Sequence, residues 1–530
     1  AWHFAARAVD DAGNKGPITS SSETSTTGLS LRNAIFDVPH GQKDVATNTE
    51  YNQRVHALGD INDDTFADFA MGGSFAAELC IFYGSSQATV PDTIVDPDTD
   101  PTGANHQCIG DGPVIVGGAP AKGIGNFTGS ASNDFAAAWG FSIFNTVELR
   151  VYGGAATGQQ VSSTPVLTIS GTGTFVSVAM VFAGDGDFNG DGFTDILIAN
   201  ANQVHGTAGN SGVVWVIPGG DTLPQTTLDL SSAVDLATFN VQTIKLVGTG
   251  GTPAYFGGAA AFVGNVLSDA GATQYDDIAI SAWFTNDGTR SAAYVLRGRP
   301  TASDAELAVS SLHNGTNDAG EPTPTEDASS TILRPEFNNT SFGTAIMSAD
   351  WNGDGIPEVF IGHTVDDKND NWGWGYIFDG ESIELAEAAG PVTIYGAGNA
   401  TGTGEMMNTG INGSILRGPY GLPTLLGNFA DDPAATGADL SAIGFVTGAD
   451  PAASASETGK LYIRLNTNNP DDGFGYGTFP WTDLKLDDPV TPGSQNWAQF
   501  EAVGVGDYNG DGLPDVLVGT KNDNYSILFY

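Results

Sequence analysis

Basic side chains are scarce in this chain of 530 residues. It has 18 Lys and Arg residues against 62 Asp and Glu residues, which gives a formal net charge of -44. Nucleic acids are bound through basic surfaces that neutralise phosphate groups, so this balance argues against them as partners. The acidity suits high solubility, a saline exterior or sites that collect cations, although a solvated acidic surface alone would give the same balance.

Long hydrophobic runs are also missing. No stretch of about 18 apolar residues occurs, so the sequence predicts no membrane span. The chain opens at Ala1 without a charged-then-apolar leader, and we expect a processed, secreted product.

Catalytic signatures are absent from the sequence as well. The seven histidines are scattered without paired spacing, and no nucleophile elbow, HExxH pair or phosphate-binding loop occurs. We therefore expect no enzyme activity, although fold class alone does not decide this.

Cysteine is limited to Cys80 and Cys108, which lie in strand-like stretches about one hairpin apart. We expect these two to form a disulfide, which would fit an extracellular setting; two buried free thiols are the alternative.

Glycine, by contrast, is abundant. The chain has 72 glycines and 26 prolines interspersed with short apolar runs, and hydrophobic residues make up 40% of it. This pattern predicts many short strands joined by turns around a real core.

An acidic motif recurs along the chain. Four copies align without gaps and read acid, x, Asn, x, Asp, three residues, then an acid and a strand; they begin at Asp60, Asp187, Asp350 and Asp507. Three weaker copies pair an initial Asn with a later acid: Asn126 with Asp134, Asn265 with Asp277, and Asn428 with Asp439. The seven starting points lie 61 to 85 residues apart.

The repeats predict an all-β, seven-bladed β-propeller. Strand-like runs such as "GVVWVIPGG" lie between the motifs, and another run precedes the next motif, as in "VQTIKLVG" and "PVTIYGAG". Each unit therefore holds about four strands, which is one blade. The last unit has only three strands, and residues 29–38 have no unit of their own. We expect this N-terminal segment to supply the outer strand of the last blade and to remove an open edge.

The spacing of the motif suits a calcium ion. Ca²⁺ takes six to eight oxygens, and side chains at positions 1, 3, 5 and 9 of a tight loop can surround one ion, with a backbone carbonyl from position 7. Glycine at position 6 allows the sharp turn, and we expect the position 7 side chain to point into the core. Position 12 is Ile198, Ile361 or Val518, which excludes an EF-hand. An Asx-rich turn without metal is the alternative.

Together these features resemble the FG-GAP repeat family, best known from integrin α-subunit propellers. The resemblance covers roughly residues 28–530, and the segments "YFGGAAAFVG" and "SFGTAIMSAD" match its FG and GAP elements. It implies that a loop between the first two strands of a blade binds calcium. The implied ligands of three sites are Asp187, Asn189, Asp191, Phe193 and Asp195; Asp350, Asn352, Asp354, Ile356 and Glu358; and Asp507, Asn509, Asp511, Leu513 and Asp515.

A fourth, weaker calcium site is implied where Thr65 replaces the glycine, with the ligands Asp60, Asn62, Asp64, Phe66 and Asp68. We expect the loops that begin at Asn126, Asn265 and Asn428 to be empty or poorly occupied. In the first of them, Thr128 and Ser130 replace acids.

The N-terminal segment differs from the repeats. Residues 1–17 resemble the penultimate strand and turn of a fibronectin type III domain, and a polar linker over 18–27 separates them from the propeller at 28–530. An isolated hairpin is not stable in water. We expect residues 1–17 either to belong to a domain with further sequence upstream or to pair with a sheet edge of a neighbouring chain.

The expected function is that of a calcium-binding extracellular module for cell-surface adhesion or assembly, with protein or glycan partners. One alternative is a carbohydrate-binding or carbohydrate-active propeller with insertions at 301–335 and 465–497. The second insertion carries the aromatic residues Phe474, Tyr476, Phe479, Trp481 and Trp497. The other alternative is a filament subunit, a homo-oligomer or polymer joined through residues 1–17.

Overall fold

The computed structural model describes most of residues 54–300 and shorter segments outside that region. The described residues are 5–6, 19–20, 36–38, 54–72, 79–85, 106–110, 121–141, 146–171, 180–203, 212–247, 255–267, 274–282, 291–300, 306–310, 330–334, 342–349, 355–363, 372–378, 380–381, 383, 393–395, 404–412, 424–427, 442–447, 460–465, 482–484, 500–508, 510, 515–520 and 526–529.

Three short strands precede the repeats: β1 (Ala5–Ala6), β2 (Thr19–Ser20) and β3 (Phe36–Val38). The first two repeats contain β4 (Arg54–Gly59), β5 (Asp68–Gly72), β6 (Leu79–Phe82), β7 (His106–Ile109), β8 (Ala121–Gly125), β9 (Asp134–Phe141), β10 (Thr146–Tyr152) and β11 (Leu167–Ser170). The next two contain β12 (Met180–Gly186), β13 (Asp195–Asn200), β14 (Val213–Ile217), β15 (Thr227–Asp229), α1 (Ala233–Thr238), β16 (Gln242–Val247), β17 (Phe256–Gly264), β18 (Asp277–Ala282), β19 (Ala292–Leu296), β20 (Glu306–Ser310) and β21 (Ser330–Arg334).

The remaining strands are β22 (Phe342–Ala349), β23 (Glu358–His363), β24 (Trp372–Phe378), β25 (Thr393–Tyr395), β26 (Gly404–Asn412), β27 (Thr424–Gly427), β28 (Ala442–Thr447), β29 (Lys460–Leu465), β30 (Thr482–Leu484), β31 (Phe500–Gly506), β32 (Asp515–Thr520) and β33 (Ser526–Phe529).

Within the described part of the chain, these strands form seven sheets of four or five strands and one two-stranded hairpin. We number the sheets I to VII in chain order. Their antiparallel strands run in the orders β4-β5-β6-β7, β8-β9-β10-β11, β12-β13-β14-β16, β17-β18-β19-β21, β22-β23-β24-β26, β27-β28-β29-β30 and β31-β32-β33-β3. The all-β class expected from the glycine-rich, strand-like sequence is present.

Three of the sheets carry a fifth strand that comes from the following unit. β15, β20 and β25 each pair in parallel with the last strand of the preceding sheet, namely β11, β16 and β21. The segment "PVTIYGAG" contains β25, so its assignment as the last strand of its own unit is wrong; β26 takes that place. Paired there, the β-prone residues of β25 cover an otherwise open sheet edge.

Strands from both ends of the described chain meet in sheet VII. β3 pairs antiparallel with β33, with Phe36 opposite Leu528, which is the pairing the sequence predicts for residues 29–38. Farther upstream, β1 pairs with β2 in the same chain, with Ala5 opposite Ser20. Ser20 falls within the segment predicted as a linker.

The core lies between neighbouring sheets. The first strands of successive sheets lie against one another: β4 against β8, β8 against β12, β12 against β17, β17 against β22, and β31 against β27 and β4. Between sheets III and IV, for example, Phe188, Val216 and Tyr294 belong to one buried cluster. Because a sheet is covered on both faces, all six residues of β13 are buried, which explains its near-continuous apolar sequence.

Cys80 and Cys108 form a disulfide and stand opposite each other in β6 and β7. Among the described helices, none is long and apolar enough to cross a membrane.

Candidate metal centres

The acidic loops occupy the same place in each sheet. All seven motifs start in the connection between the first and second strands. In most sheets the final acid begins the second strand and stands opposite the residue before the motif, as Asp68 does opposite Gly59. Sheet VI differs, because Ala442 stands opposite Gly427. Asp439, the acid predicted for that loop, lies outside the described residues, as does Asn428.

In the loop of sheet III, the first carboxylate is directed at the backbone of its own loop. Asp187 accepts hydrogen bonds from the N–H groups of Gly190 at 2.7 Å, Asp191 at 3.1 Å and Gly192 at 2.8 Å. Asn189 Oδ1 also accepts from Asp191 N–H, at 2.9 Å. These bonds hold the loop in a tight turn with several oxygen atoms on its inner side.

The loop of sheet I repeats this geometry. Asp60 accepts hydrogen bonds from the N–H groups of Asn62 at 3.3 Å, Asp64 at 3.2 Å and Thr65 at 2.8 Å. Asn62 Nδ2 donates to Asp64 Oδ2 at 3.0 Å. The Asn62 side chain is only 4% exposed, and its Oδ1 atom is buried with no hydrogen-bond partner.

The carboxylate of the final acid accepts one hydrogen bond from its own loop and one from a residue that follows the third strand. Asp68 Oδ2 accepts from Ile61 N–H at 2.9 Å, and Asp68 Oδ1 accepts from Gly84 N–H at 2.8 Å. Burial raises the pKa of the Asp68 carboxyl to about 8, although the hydrogen bonds from Gly84 and Ile61 act to lower that pKa. The negative charges of Asp64 and Asp60 raise that pKa further. Without a cation, the loop therefore resists carrying its full negative charge.

Asp195 makes the equivalent contacts in sheet III. It accepts hydrogen bonds from Phe188 N–H at 2.9 Å and from Gly219 N–H at 3.0 Å. Burial raises its pKa well above the usual range, despite the bond from Gly219, and the charges of Asp187 and Asp191 act in the same direction.

Left-handed backbone at positions 4 and 6 makes the tight turn possible. Position 6 has φ of 91° at Gly192 and 77° at Thr65, so threonine adopts the backbone that glycine supplies elsewhere. Position 4 is also left-handed, at Gly190 with φ of 71° and at Asp63 with φ of 54°. Only the glycine at position 6 was predicted to allow the turn, although the recurring Asn-Gly-Asp-Gly sequence also carries a glycine at position 4.

The position 7 side chains do not enter the core as expected. Phe66 and Phe193 are only half-buried. A Cβ atom built on Gly129 would lie 3.0 Å from Phe193 Cε1, and one built on Gly510 would clash with the Phe66 ring. Each phenyl group therefore covers the glycine at position 4 of a loop in the neighbouring sheet, where a larger residue would not fit. Phe193 of sheet III covers the loop of sheet II, and Phe66 of sheet I covers the loop of sheet VII. Ile356, at position 7 in sheet V, is half-buried as well.

The same loops bridge neighbouring sheets through their carbonyl groups. The carbonyl oxygens of positions 1 and 2 accept hydrogen bonds from two N–H groups of the next sheet. The donor pairs and their acceptors are Ala67 and Ser85 to Asp507 and Tyr508; Asn133 and Ala155 to Asp60 and Ile61; Thr194 and Gly220 to Asn126 and Phe127; and Asp276 and Arg299 to Asp187 and Phe188. All eight bonds measure 2.7 to 3.1 Å. The first pair joins sheet VII to sheet I.

Two predicted sites are described only in part. In sheet V, Glu358 is buried at the start of β23, whereas Asp350, Asn352 and Asp354 lie outside the described residues. In sheet VII, Asp515 Oδ2 accepts from Tyr508 N–H at 2.9 Å, and Asp507 Oδ1 accepts from Gly510 N–H. Asn509, Asp511 and Leu513 lie outside the described residues.

The aromatic residues of the second insertion, Phe474, Tyr476, Phe479, Trp481 and Trp497, also lie outside the described residues.

The donor chemistry of the loops suits calcium. The loop of sheet I offers carboxylates from Asp60, Asp64 and Asp68, a carbonyl from Phe66 and the unpartnered amide oxygen of Asn62, all hard oxygen ligands. Among the described residues, however, no three acidic, histidine or cysteine side chains form a ready metal-binding cluster. The carboxylates are directed at N–H groups, so a cation would have to use their remaining lone pairs and draw them together.

Two of these loops match a known protein family, and the whole chain is similar to solved structures. The FG-GAP repeat family model matches residues 182–217 and 500–528, which contain the loops of sheets III and VII. No match is found among curated proteins. The chain is similar to a structure described as the Dos1 propeller, with 9% identity and a TM-score of 0.41 over 94% of this chain and 96% of that one. It is also similar to a chain in a humanized mutant of the Chaetomium thermophilum Polycomb Repressive Complex 2 bound to the inhibitor GSK126, with 9% identity and a TM-score of 0.37 over 93% and 96%. The sheet topology and the family-model match together show an all-β protein with propeller-like sheets that carries FG-GAP repeats.

Proposed function

We propose that this protein is a closed, seven-bladed β-propeller, held together in part by calcium, that serves as an extracellular module for adhesion or assembly. Closure is supported at the junction where the two ends of the propeller meet. There, β3 completes sheet VII, β31 lies against β4, and Ala67 N–H donates to the Asp507 carbonyl at 2.7 Å. In a ring, no sheet is left with an unpacked face.

Calcium binding rests above all on the Asn62 side chain. Its Oδ1 atom is buried without a partner, while its backbone N–H donates to Asp60 and its Nδ2 group donates to Asp64. An unsatisfied buried acceptor costs free energy, and a cation would satisfy it while neutralising the acids. From its place in the motif we also assign a ligand role to Asn189 in sheet III, whose Oδ1 atom accepts from Asp191 N–H. From the sequence we assign the same role to Asn352 in sheet V and Asn509 in sheet VII.

The FG-GAP repeats support an extracellular, non-enzymatic role, and the disulfide supports an extracellular location. FG-GAP repeats are typical of extracellular proteins, and the family is generally non-catalytic. The Cys80–Cys108 disulfide suits an oxidising environment. The proposed partners are proteins or glycans at the cell surface, which a structural module would meet there.

Thermal unfolding with and without calcium tests this function. We expect excess chelator to lower the Tm of the wild-type protein by many degrees, because loaded sites stabilise the folded state and empty loops leave buried acids facing each other. Magnesium should restore the Tm less well than calcium, since Mg²⁺ demands a smaller, near-octahedral site. A melting curve that is identical in calcium and in chelator would refute the calcium role.

A further inference from the structure

The loop of sheet II satisfies its final acid in a different way from the loops of sheets I and III. Asp134 Oδ1 accepts hydrogen bonds from the Thr128 hydroxyl at 3.0 Å and from Gly154 N–H at 2.8 Å. The Ser130 hydroxyl lies 2.9 Å from the same oxygen and 2.7 Å from the Ser132 carbonyl oxygen, so its one hydrogen is shared between these two acceptors. Asp134 Oδ2 accepts from Thr128 N–H at 2.6 Å. The Thr128 hydroxyl and the Gly154 N–H alone occupy both lone pairs of the Oδ1 atom, which leaves none for a cation.

The matched acid of sheet I has far fewer donors. Asp68 receives one N–H group on each oxygen, from Ile61 and from Gly84. In sheet I, positions 1 and 5 hold the acids Asp60 and Asp64, whereas the loop of sheet II has no acid before its last position. The loop of sheet II thus presents a single carboxylate, and the Oδ1 atom of that carboxylate is saturated.

We propose that the Asn126–Asp134 loop is a cation-independent version of the repeat loop, in which the hydroxyls of Thr128 and Ser130 take the place of the metal ion. This proposal rests on the proposed calcium binding of the other loops. It gives the ring two kinds of junction, those that loosen when calcium is removed and those, such as the junction of sheets II and III, that do not. The bridge from this loop to sheet III, where Thr194 and Gly220 donate to Asn126 and Phe127, has the same form as the others.

One buried atom argues for a cation in this loop, but it is not enough for a site. Asn126 Oδ1 is buried without a hydrogen-bond partner. It is a neutral oxygen, and Thr128 and Ser130 contribute only neutral hydroxyl groups to the loop. A calcium site needs several negatively charged or carbonyl oxygens around one point, and this loop lacks them.

Hydrogen exchange on the wild-type protein tests the proposal directly. The amide protons of Ile61, Phe188 and Thr128 each donate to the final acid of their own loop. On chelation, we expect the protection of Ile61 and Phe188 to fall by roughly tenfold or more, a factor that corresponds to about 1.4 kcal/mol. We expect the protection of Thr128 to stay the same. A parallel loss at Thr128 would overturn the proposal.

Side-chain variants give a second, independent readout. The double substitution Thr128→Val with Ser130→Ala removes both hydroxyl donors, so it should lower the Tm equally in calcium and in chelator. Ser163→Ala, at an exposed position of the same repeat, should leave the Tm unchanged and serves as the control. A double variant as stable as Ser163→Ala in chelator would contradict the role of the hydroxyls.

The two proposals fail in different ways. If Ile61 and Phe188 keep their protection on chelation, the proposed calcium binding fails, while the Thr128→Val, Ser130→Ala variant still decides whether the hydroxyls hold the loop of sheet II.

Discussion

Asp195 and Gly219 are joined across sheet III by a 3.0 Å hydrogen bond from the glycine N–H to the carboxylate. The same bond joins Asp68 to Gly84 at 2.8 Å in sheet I. Because the carboxylate is buried and its loop also bridges to the next sheet, this contact links the second strand, the third strand and the sheet junction.

Glycine is required at the donor position of this contact. A Cβ atom on Gly219 would clash with the carbonyl oxygen of Thr194 and lie 2.7 Å from that of Phe127. We expect Gly219→Ala to destabilise the protein by about 1–3 kcal/mol, the usual cost of overpacking. Gly220→Ala is the matched control, because a Cβ atom there meets nothing within 4 Å. Urea unfolding of both variants checks this, and equal stabilities would show that the contact is not restrictive.

Thr65 holds a backbone conformation that suits glycine. Its φ of 77° is strained for a β-branched residue, so Thr65→Gly should stabilise the protein by about 1 kcal/mol even after the entropy cost of glycine. Gly192→Thr introduces the same strain in sheet III and should destabilise the protein. The comparison needs chemical unfolding in saturating calcium. A loss of stability in Thr65→Gly would mean that the threonine is not strained.

Tyr508 and Tyr83 are both buried, but only one of the two hydroxyl groups has hydrogen-bond partners. The Tyr508 hydroxyl is buried without a partner, whereas the Tyr83 hydroxyl donates to Gln107 Oε1 and accepts from Val161 N–H, both at 3.0 Å. Tyr508→Phe should therefore be neutral or stabilising by up to about 1 kcal/mol. Tyr83→Phe should cost about 1–3 kcal/mol, because it leaves buried groups unsatisfied. Urea unfolding of both variants measures this, and a larger loss of stability in Tyr508→Phe than in Tyr83→Phe would contradict these hydrogen-bond partners.

The stability of the metal-free protein should depend on pH in the direction set by Asp68. Its pKa is raised from 3.8 to about 8 in the folded state, so the folded state binds more protons than the unfolded state between these values. The stabilising contribution of the protonated carboxyl is fully present below pH 3.8 and is lost as the pH rises towards 8. Chelated protein should thus be more stable at pH 5 than at pH 8, with a smaller difference in Asp68→Asn. Urea unfolding at both pH values measures this, and equal pH dependence in the two proteins would exclude Asp68 as a cause.

The repeat pattern made much of the fold predictable. The position of the loops between first and second strands follows from the acids and the apolar runs behind them, and the pairing of β3 with β33 follows from the missing strand of the last unit. The strand at Thr393–Tyr395 was assigned to the wrong sheet, because its apolar residues fit an edge of either neighbouring sheet. Which edge it joins depends on tertiary packing and not on local sequence.

The site was predictable in its residues and not in its contacts. The acids at 60, 64 and 68 are visible in the sequence, but the carboxylate bond to Gly84 joins residues 16 apart and depends on the sheet register. A glycine recurs at the end of the third strand, as in "FYG" and "IPGG", and this was the available signal. The hydroxyl bonds to Asp134 could not be foreseen from a pattern that counts charges alone.

Isothermal titration of the chelator-treated protein with calcium measures directly how many of the acidic loops bind an ion. We expect four bound ions in the wild-type protein, for the loops that begin at Asp60, Asp187, Asp350 and Asp507. We expect three in Asp191→Ala, with the fold retained. Absence of binding up to about 1 mM calcium, the weakest range of extracellular calcium modules, would contradict calcium binding by these loops.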